Sequence, residues 1–192
     1  MKQTLEQMMA EQGQHDVDTG WSATNSGEKI RILNLKPEQI NIDDIAKSLS
    51  KLCRYNGHCD EFYSVAEHSV YVSRCCDIED AKWGLLHDAT EAYVGDMIRP
   101  VKNLPILKPY KELEDSVMLI ICEKFGLDPE MPESVKIADN VVLMKEKDTI
   151  CSNFPDWEWG DEIPRYPGPI RCLSPNEAER IFMNRFNELF NV

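Results

Sequence analysis

A chain of 192 residues, 42% hydrophobic and 29% charged, has the size and make-up of one globular domain with a single substantial core. Its 34 acidic against 21 basic residues leave a net charge of −13, a field that repels DNA and RNA but tolerates small anions wherever a metal ion or placed cations reverse it locally. No apolar run nears the ~20 residues that cross a bilayer, and the amino terminus lacks the apolar stretch of a signal peptide, so the expectation is a cytosolic protein with neither membrane nor nucleic-acid polymer as partner.

In chain order, residues 1–20 read as an N-terminal extension, with a short amphipathic helix over residues 1–12. Residues 21–33 have turn residues at their centre and apolar alternation at Ile30 and Ile32, which predicts a small β-hairpin. Asn41 can cap a helix running through Ile45, Leu49 and Leu52. Ser64-Val-Ala-Glu67 reads as a capping box opening a helix through Val72. A further helix is predicted over 79–93, ended by Gly95. Others follow at about 107–125, 132–153 and 175–190, the last opened by Ser174-Pro-Asn-Glu177 with Pro175 at its first helical position. Pro and Gly forbid a regular element in the 154–173 loop, leaving it as an aromatic strap over the core or a lid beside a site. Without repeat or linker, residues 1–192 form one mainly α-helical domain.

Seven cysteines at 53, 59, 75, 76, 122, 151 and 172 include no Cys-x-x-Cys pair, so reduced thiols are expected. Histidine is scarce. His15 sits in a polar stretch and His58 follows the turn Asn56-Gly57. Val65, His68 and Val72 share one helical face, where a lone imidazole reads first as a core histidine. Ala81, Leu85, Asp88 and Ala92 put Asp88 on an apolar stripe, with His87 roughly 100° around the helix and Glu91 one turn beyond His87. Val135, Ala138 and Val142 share a face with Asp139. Ionised carboxylates on apolar faces are costly unless paired or bound to metal. Two imidazoles and two carboxylates from three helices suit a divalent metal; on periodicity alone, two unrelated buried ion pairs account for them as well.

Ala66-Glu-His-Ser69, then Leu86-His-Asp-Ala-Thr-Glu-Ala-Tyr-Val-Gly-Asp96, then Ala138-Asp139 resemble the HD-domain phosphohydrolases, whose metal signature runs His…His-Asp…Asp. More narrowly, the chain is similar to small bacterial and phage members that act on deoxynucleotides, over residues 21–190 and most strongly at 54–102. The resemblance implies an all-α HD-domain helical bundle behind the small hairpin. It implies that His68, His87, Asp88 and Asp139 hold a divalent ion (Co²⁺, Mn²⁺ or Zn²⁺), with Mg²⁺ accompanying the substrate phosphates. Glu91 would exchange protons with the attacking water or the leaving oxygen, and Asp96 would orient water or the sugar-side oxygen. Arg54 would face phosphate through its forked donors, assisted by Lys102. Tyr55, Asn56, Gly57 and Pro100 would line the nucleoside pocket with His58 nearby; Tyr55 stands where those enzymes carry Trp, which bears on base and sugar preference.

The implied reaction is hydrolysis of a phosphate ester or anhydride of a deoxynucleoside mono- or triphosphate by metal-activated water. The implied enzyme is cytoplasmic (in the host cytoplasm for a phage-encoded chain) and of a type that often forms homo-oligomers. One rival is a non-catalytic metal- and nucleotide-binding regulatory protein, which would have no need of Glu91, Asp96 and Arg54. Another is an HD phosphodiesterase acting on cyclic nucleotides or (p)ppGpp, whose extra motifs are absent.

Overall fold

The computed structural model describes residues 20–155 and 160–191. The helix expected at 1–12, His15 and the tryptophans of 156–159 lie outside them.

The first described element is a two-stranded antiparallel hairpin of Ser22–Ala23 (β1) and Lys29–Ile30 (β2), pairing Ser22 with Ile30 and Ala23 with Lys29. Ile30 is buried, and the Ser26 amide and hydroxyl both donate to Asp44 at 2.7 Å, which fastens the hairpin to the bundle. The rest of the described fold is mostly helical. Helix α1, Ile42–Leu49, starts where the Asn41 side chain accepts from the Asp43 amide at 2.9 Å. It buries Ile45, Ala46 and Leu49.

Helix α2, Val65–Cys75, is the hub, with every residue from Val65 to Ser73 buried. Around it stand α3 (Ala81–Leu86), α7 (Glu133–Ile150) and α8 (Pro175–Phe190). Two short helices, α4 (Glu91–Val94) and α5 (Arg99–Lys102), and the long α6 (Lys108–Phe125) lie between α3 and α7. A helix enclosed on several sides has no polar face to spare, which is why His68 and Glu67, both fully buried, need dedicated partners. Contact between α2 and α3 is close because Gly84 has no Cβ: one there would stand 2.8 Å from Cys76 Sγ and 2.9 Å from Ser73 Cα. At α8, the Ser174 amide and hydroxyl both reach Glu177 at 3.2 and 2.6 Å, giving the expected capping box with Pro175 behind it. Among the described residues no helix is long and apolar enough to cross a membrane.

Two local expectations are corrected. Residues 79–93 do not form one helix. A 3₁₀ turn at Ile78–Asp80 leads into α3, which stops at Leu86, and α4 resumes at Glu91. Between them the bonding tightens to i→i+3, from Ala89 N to Leu86 O at 2.9 Å and from Glu91 N to Asp88 O at 3.0 Å. The stripe therefore slips by one residue: Ala89, not Asp88, is fully buried, and the Asp88 side chain keeps 21% of its surface exposed. The second correction concerns Glu67. The Ser64 hydroxyl accepts from the Glu67 amide at 3.2 Å, but the Glu67 carboxylate does not return to the cap. It accepts from Tyr71 OH at 2.7 Å and from the Arg171 and Leu173 amides at 2.9 and 2.7 Å. A buried carboxylate with three donors thus holds down the end of the 154–173 segment as a strap, aided by Tyr166 stacked on Tyr71.

Candidate metal centre and its cavity

His68 comes from the middle of α2, His87 and Asp88 from the tightened turn after α3, and Asp139 from α7. In both histidines Nδ1 is already committed: His68 Nδ1 lies 2.6 Å from Glu146 Oε1, and His87 Nδ1 lies 2.9 Å from the Gly84 carbonyl. Carboxylate and carbonyl can only accept, so Nδ1 carries the proton in each ring and Nε2 is the atom left for a ligand. Both Nε2 atoms are buried without a well-aligned hydrogen-bond partner among the described residues. Carboxylates stand before them. Asp139 Oδ1 is 3.2 Å from His68 Nε2, and Asp88 Oδ2 is 3.2 Å from His87 Nε2 and 3.8 Å from His68 Nε2. Ligand atoms of His68, His87 and Asp139 all lie within 4.8 Å of one another. Two orphaned imidazole nitrogens facing two carboxylates are a donor set that fits a divalent metal.

The charges agree with that reading. Burial raises the Asp88 carboxyl, but His87, His68 and Arg54 more than offset it and hold its pKa well below the carboxylate range. Asp139 is likewise depressed, by His68 above all, against the cost of burial. Burial and Arg54 press the His68 imidazole down while Glu146 and Asp139 raise it further, to about 9 where only protein groups surround it. An ion taken up at Nε2 would therefore have to displace a proton.

Glu146 escapes the sequence reading, although it lies seven residues after Asp139 and four after Val142, on the same buried face of α7. It is fully buried and accepts from His68 Nδ1, Tyr63 OH at 2.8 Å, Arg54 Nε at 3.2 Å and Tyr55 OH. One carboxylate thereby orients a metal-facing imidazole and the arginine beside it. Its signal in the sequence was the i+7 spacing from Asp139. The backbone around Arg54 is strained to meet it: Tyr55 at φ 57° and Asn56 at φ 52° are left-handed, followed by Gly57 at φ 77°. For Tyr this region costs ~1–3 kcal/mol. Two bonds to Glu146 and one from Arg54 N to Tyr63 O at 2.9 Å hold the turn in place.

The centre opens into a cavity of about 840 Å³, inside the ~300–1,000 Å³ range of small-molecule sites. Of the expected substrate residues, Arg54, Tyr55, His58, Pro100 and Lys102 line it; Asn56 and Gly57 do not, and both belong to the left-handed turn. Lys102 Nζ is held at 2.7 Å by Glu114. Arg99, which the sequence reading passes over, also lines the cavity and reaches Asp139 Oδ2 at 3.2 Å. Phe154 stands edge-on to Tyr55 at the same mouth, so the strap contributes one wall. Glu91 and Asp96 both face the cavity. Burial pushes the Glu91 carboxyl well above its ordinary range, Asp88 and Asp96 push it further, and its Oε2 has no hydrogen-bond partner among the described residues. Burial likewise raises Asp96. All seven cysteines are free, and burial lifts the thiols of Cys59, Cys76 and Cys172 to about 11 and Cys151 to about 12, which leaves these four protonated at neutral pH.

Comparison with known proteins gives three relatives. The uncharacterized protein YfdR of Escherichia coli is 40% identical over 168 residues, covering 86% of this chain and 93% of YfdR. An uncharacterized protein of Rhodobacter capsulatus is 35% identical over 189 residues, covering 88% and 95%. A 5′-deoxynucleotidase of Photobacterium profundum is 28% identical over 125 residues, or 57% of this chain and 64% of that one. No protein-family model matches the chain.

Proposed function

The chain belongs to the family of Escherichia coli YfdR, and from the centre it carries we propose that it is a metal-dependent phosphohydrolase of the HD-domain type acting on deoxynucleotides. The observation that carries this reading is the pair of buried, unpartnered Nε2 atoms of His68 and His87 set against Asp88 and Asp139 at the floor of a large cavity. Likeness over part of the chain to a 5′-deoxynucleotidase supports the substrate class. A divalent ion held by His68, His87, Asp88 and Asp139 supplies Lewis-acid polarisation of a phosphoryl oxygen and acidifies water.

The chain's own residues do the rest. Arg54, fastened at Nε by Glu146, keeps its outer nitrogens toward Asp88, Nη1 standing 3.5 Å from Oδ2, where they meet a phosphate bound over the centre. Glu91, a carboxyl kept protonated by burial, is the proton donor to the departing sugar oxygen. Asp96 on the same wall orients the water or that oxygen. Water adds at phosphorus, the bond from phosphorus to the sugar oxygen breaks, and nucleoside and phosphate result. Tyr55 and Phe154 present aromatic surface to the nucleoside end.

The test is incubation of the Mn²⁺- or Co²⁺-loaded protein with deoxy- and ribonucleotides at each phosphorylation level, products being separated by ion chromatography. Release from deoxynucleotides that disappears with a chelator and in Asp88→Ala is expected. Metal binding with no release from any nucleotide would sink the enzyme reading and favour a regulatory binding protein.

A further inference from the structure

We propose that Arg99 binds a second phosphate, so that the site prefers nucleotides carrying two or more phosphates to monophosphates; the nucleotide part of this rests on the function proposed above. Three cations line the cavity, and two are committed to acids that are not metal-facing. Arg54 has Glu146 at 3.2 Å, and Lys102 has Glu114 at 2.7 Å. Arg99 has neither. Its ion pair among the described residues is to Asp139 Oδ2 at 3.2 Å, while the other oxygen of that carboxylate, Oδ1, faces His68 Nε2 at the same distance.

A dication held by Asp139 takes up the charge that Arg99 now uses. The guanidinium is then left at the mouth of an anion-binding cavity without a counter-charge of its own. Its side chain is 57% exposed, so it is free to swing toward an incoming group. Position decides which group. Arg54 flanks the centre on the Asp88 side and Arg99 flanks it on the Asp139 side. A single phosphate over the centre is served by the ion and Arg54, so a second guanidinium, paired with Asp139 and not with Asp88, is available to the next phosphate of a chain. Lys102, one turn along α5 from Arg99, adds positive potential to the same wall. A planar fork suits bidentate grip on phosphate oxygens. In a molecule of net charge −13, such a local reversal of potential has to be built from specific side chains.

The experiment is isothermal titration of the Mn²⁺-loaded protein, at fixed free Mn²⁺, with inorganic tripolyphosphate and with orthophosphate, for wild type, Arg99→Ala and Arg99→Lys. Wild type should bind tripolyphosphate at least tenfold more tightly than orthophosphate. Arg99→Ala should lose that margin, leave orthophosphate within twofold and keep its Mn²⁺ affinity; Arg99→Lys should recover part of it. Equal binding of both anions by wild type, or an equal loss for both in Arg99→Ala, overturns the proposal. So does a loss of Mn²⁺ affinity in Arg99→Ala, which would make Arg99 a positioning residue for Asp139. Because anion binding is read without turnover, a protein that keeps the margin but hydrolyses no nucleotide would refute the enzymatic reading and leave the polyphosphate site standing.

Discussion

Glu146 concentrates four donors on one carboxylate that no solvent reaches, so its charge is felt at both His68 and Arg54. Glu146→Gln keeps the shape but removes the charge and sets an amide NH₂ against either the Arg54 Nε–H or the His68 Nδ1–H, neither of which can accept. The expected result is a ~10–100-fold loss of Mn²⁺ affinity, the range for partners that orient metal-binding histidines, measured by calorimetry with circular dichroism unchanged. An unchanged affinity would show that His68 is aligned by packing alone. A pH effect follows. Burial raises the Glu146 carboxyl, and Arg54 with His68 more than offsets this to hold it at about 2 against an ordinary 4.5. A depressed folded-state pKa gives stability that is present above the ordinary value and lost as pH falls through the lower one. In chelated protein, the urea midpoint of wild type should therefore fall from pH 4.5 toward 2 more steeply than that of Glu146→Gln.

At the scale of elements, the candidate centre depends on how closely α3 approaches α2. Gly84 sets that distance, and the Gly84 carbonyl also holds His87 Nδ1 at 2.9 Å. Gly84→Ala forces a methyl group against the Ser73 backbone, which cannot swing aside as a flexible side chain would. Overpacking of this kind costs ~1–3 kcal/mol, read as a lower urea midpoint, and the displaced turn at 87–90 should weaken metal binding as well. A variant with wild-type stability would mean that α3 can shift at no cost. The interruption of 79–93 has the same origin as the site itself. A regular α-helix would bury Asp88 on the core stripe, whereas the i→i+3 turn faces it into the cavity and buries Ala89 instead.

Across the whole molecule, the four residues of the candidate metal centre come from three separate parts of the bundle, so an ion bound there would link α2, the turn after α3, and α7. An ion at a hundredfold excess over its Kd stabilises by about 2.7 kcal/mol, and for a chain of this length each kcal/mol moves the Tm by ~2–4 °C. Thermal unfolding should therefore rise by several degrees with Mn²⁺ and fall back with a chelator, while Asp88→Ala shows no shift; a Tm indifferent to metal in wild type would count against the centre. Much of this was legible in the sequence. Apolar periodicity and caps mark the helices at Asn41, Ser64 and Ser174, because both depend on neighbours three and four residues away. His68 stands out because a polar group on a buried helical face is costly and therefore rare, whereas the grouping of His68 with His87, Asp88 and Asp139 came from the spacing of the motif that the chain resembles. What pairs across space was not legible. Glu67 carries a capping-box spacing yet spends its carboxylate on Arg171 and Leu173, more than a hundred residues away. Glu146 and Arg99 acquire their partners only when α7 packs on α2 and α5 folds over the cavity. The sequence by itself determined which segments are helical and which side chains are anomalous, since those are local energies. Only the tertiary structure decided which anomaly satisfies which, because a buried hydrogen bond or ion pair is chosen by proximity in the packed core and not by distance along the chain.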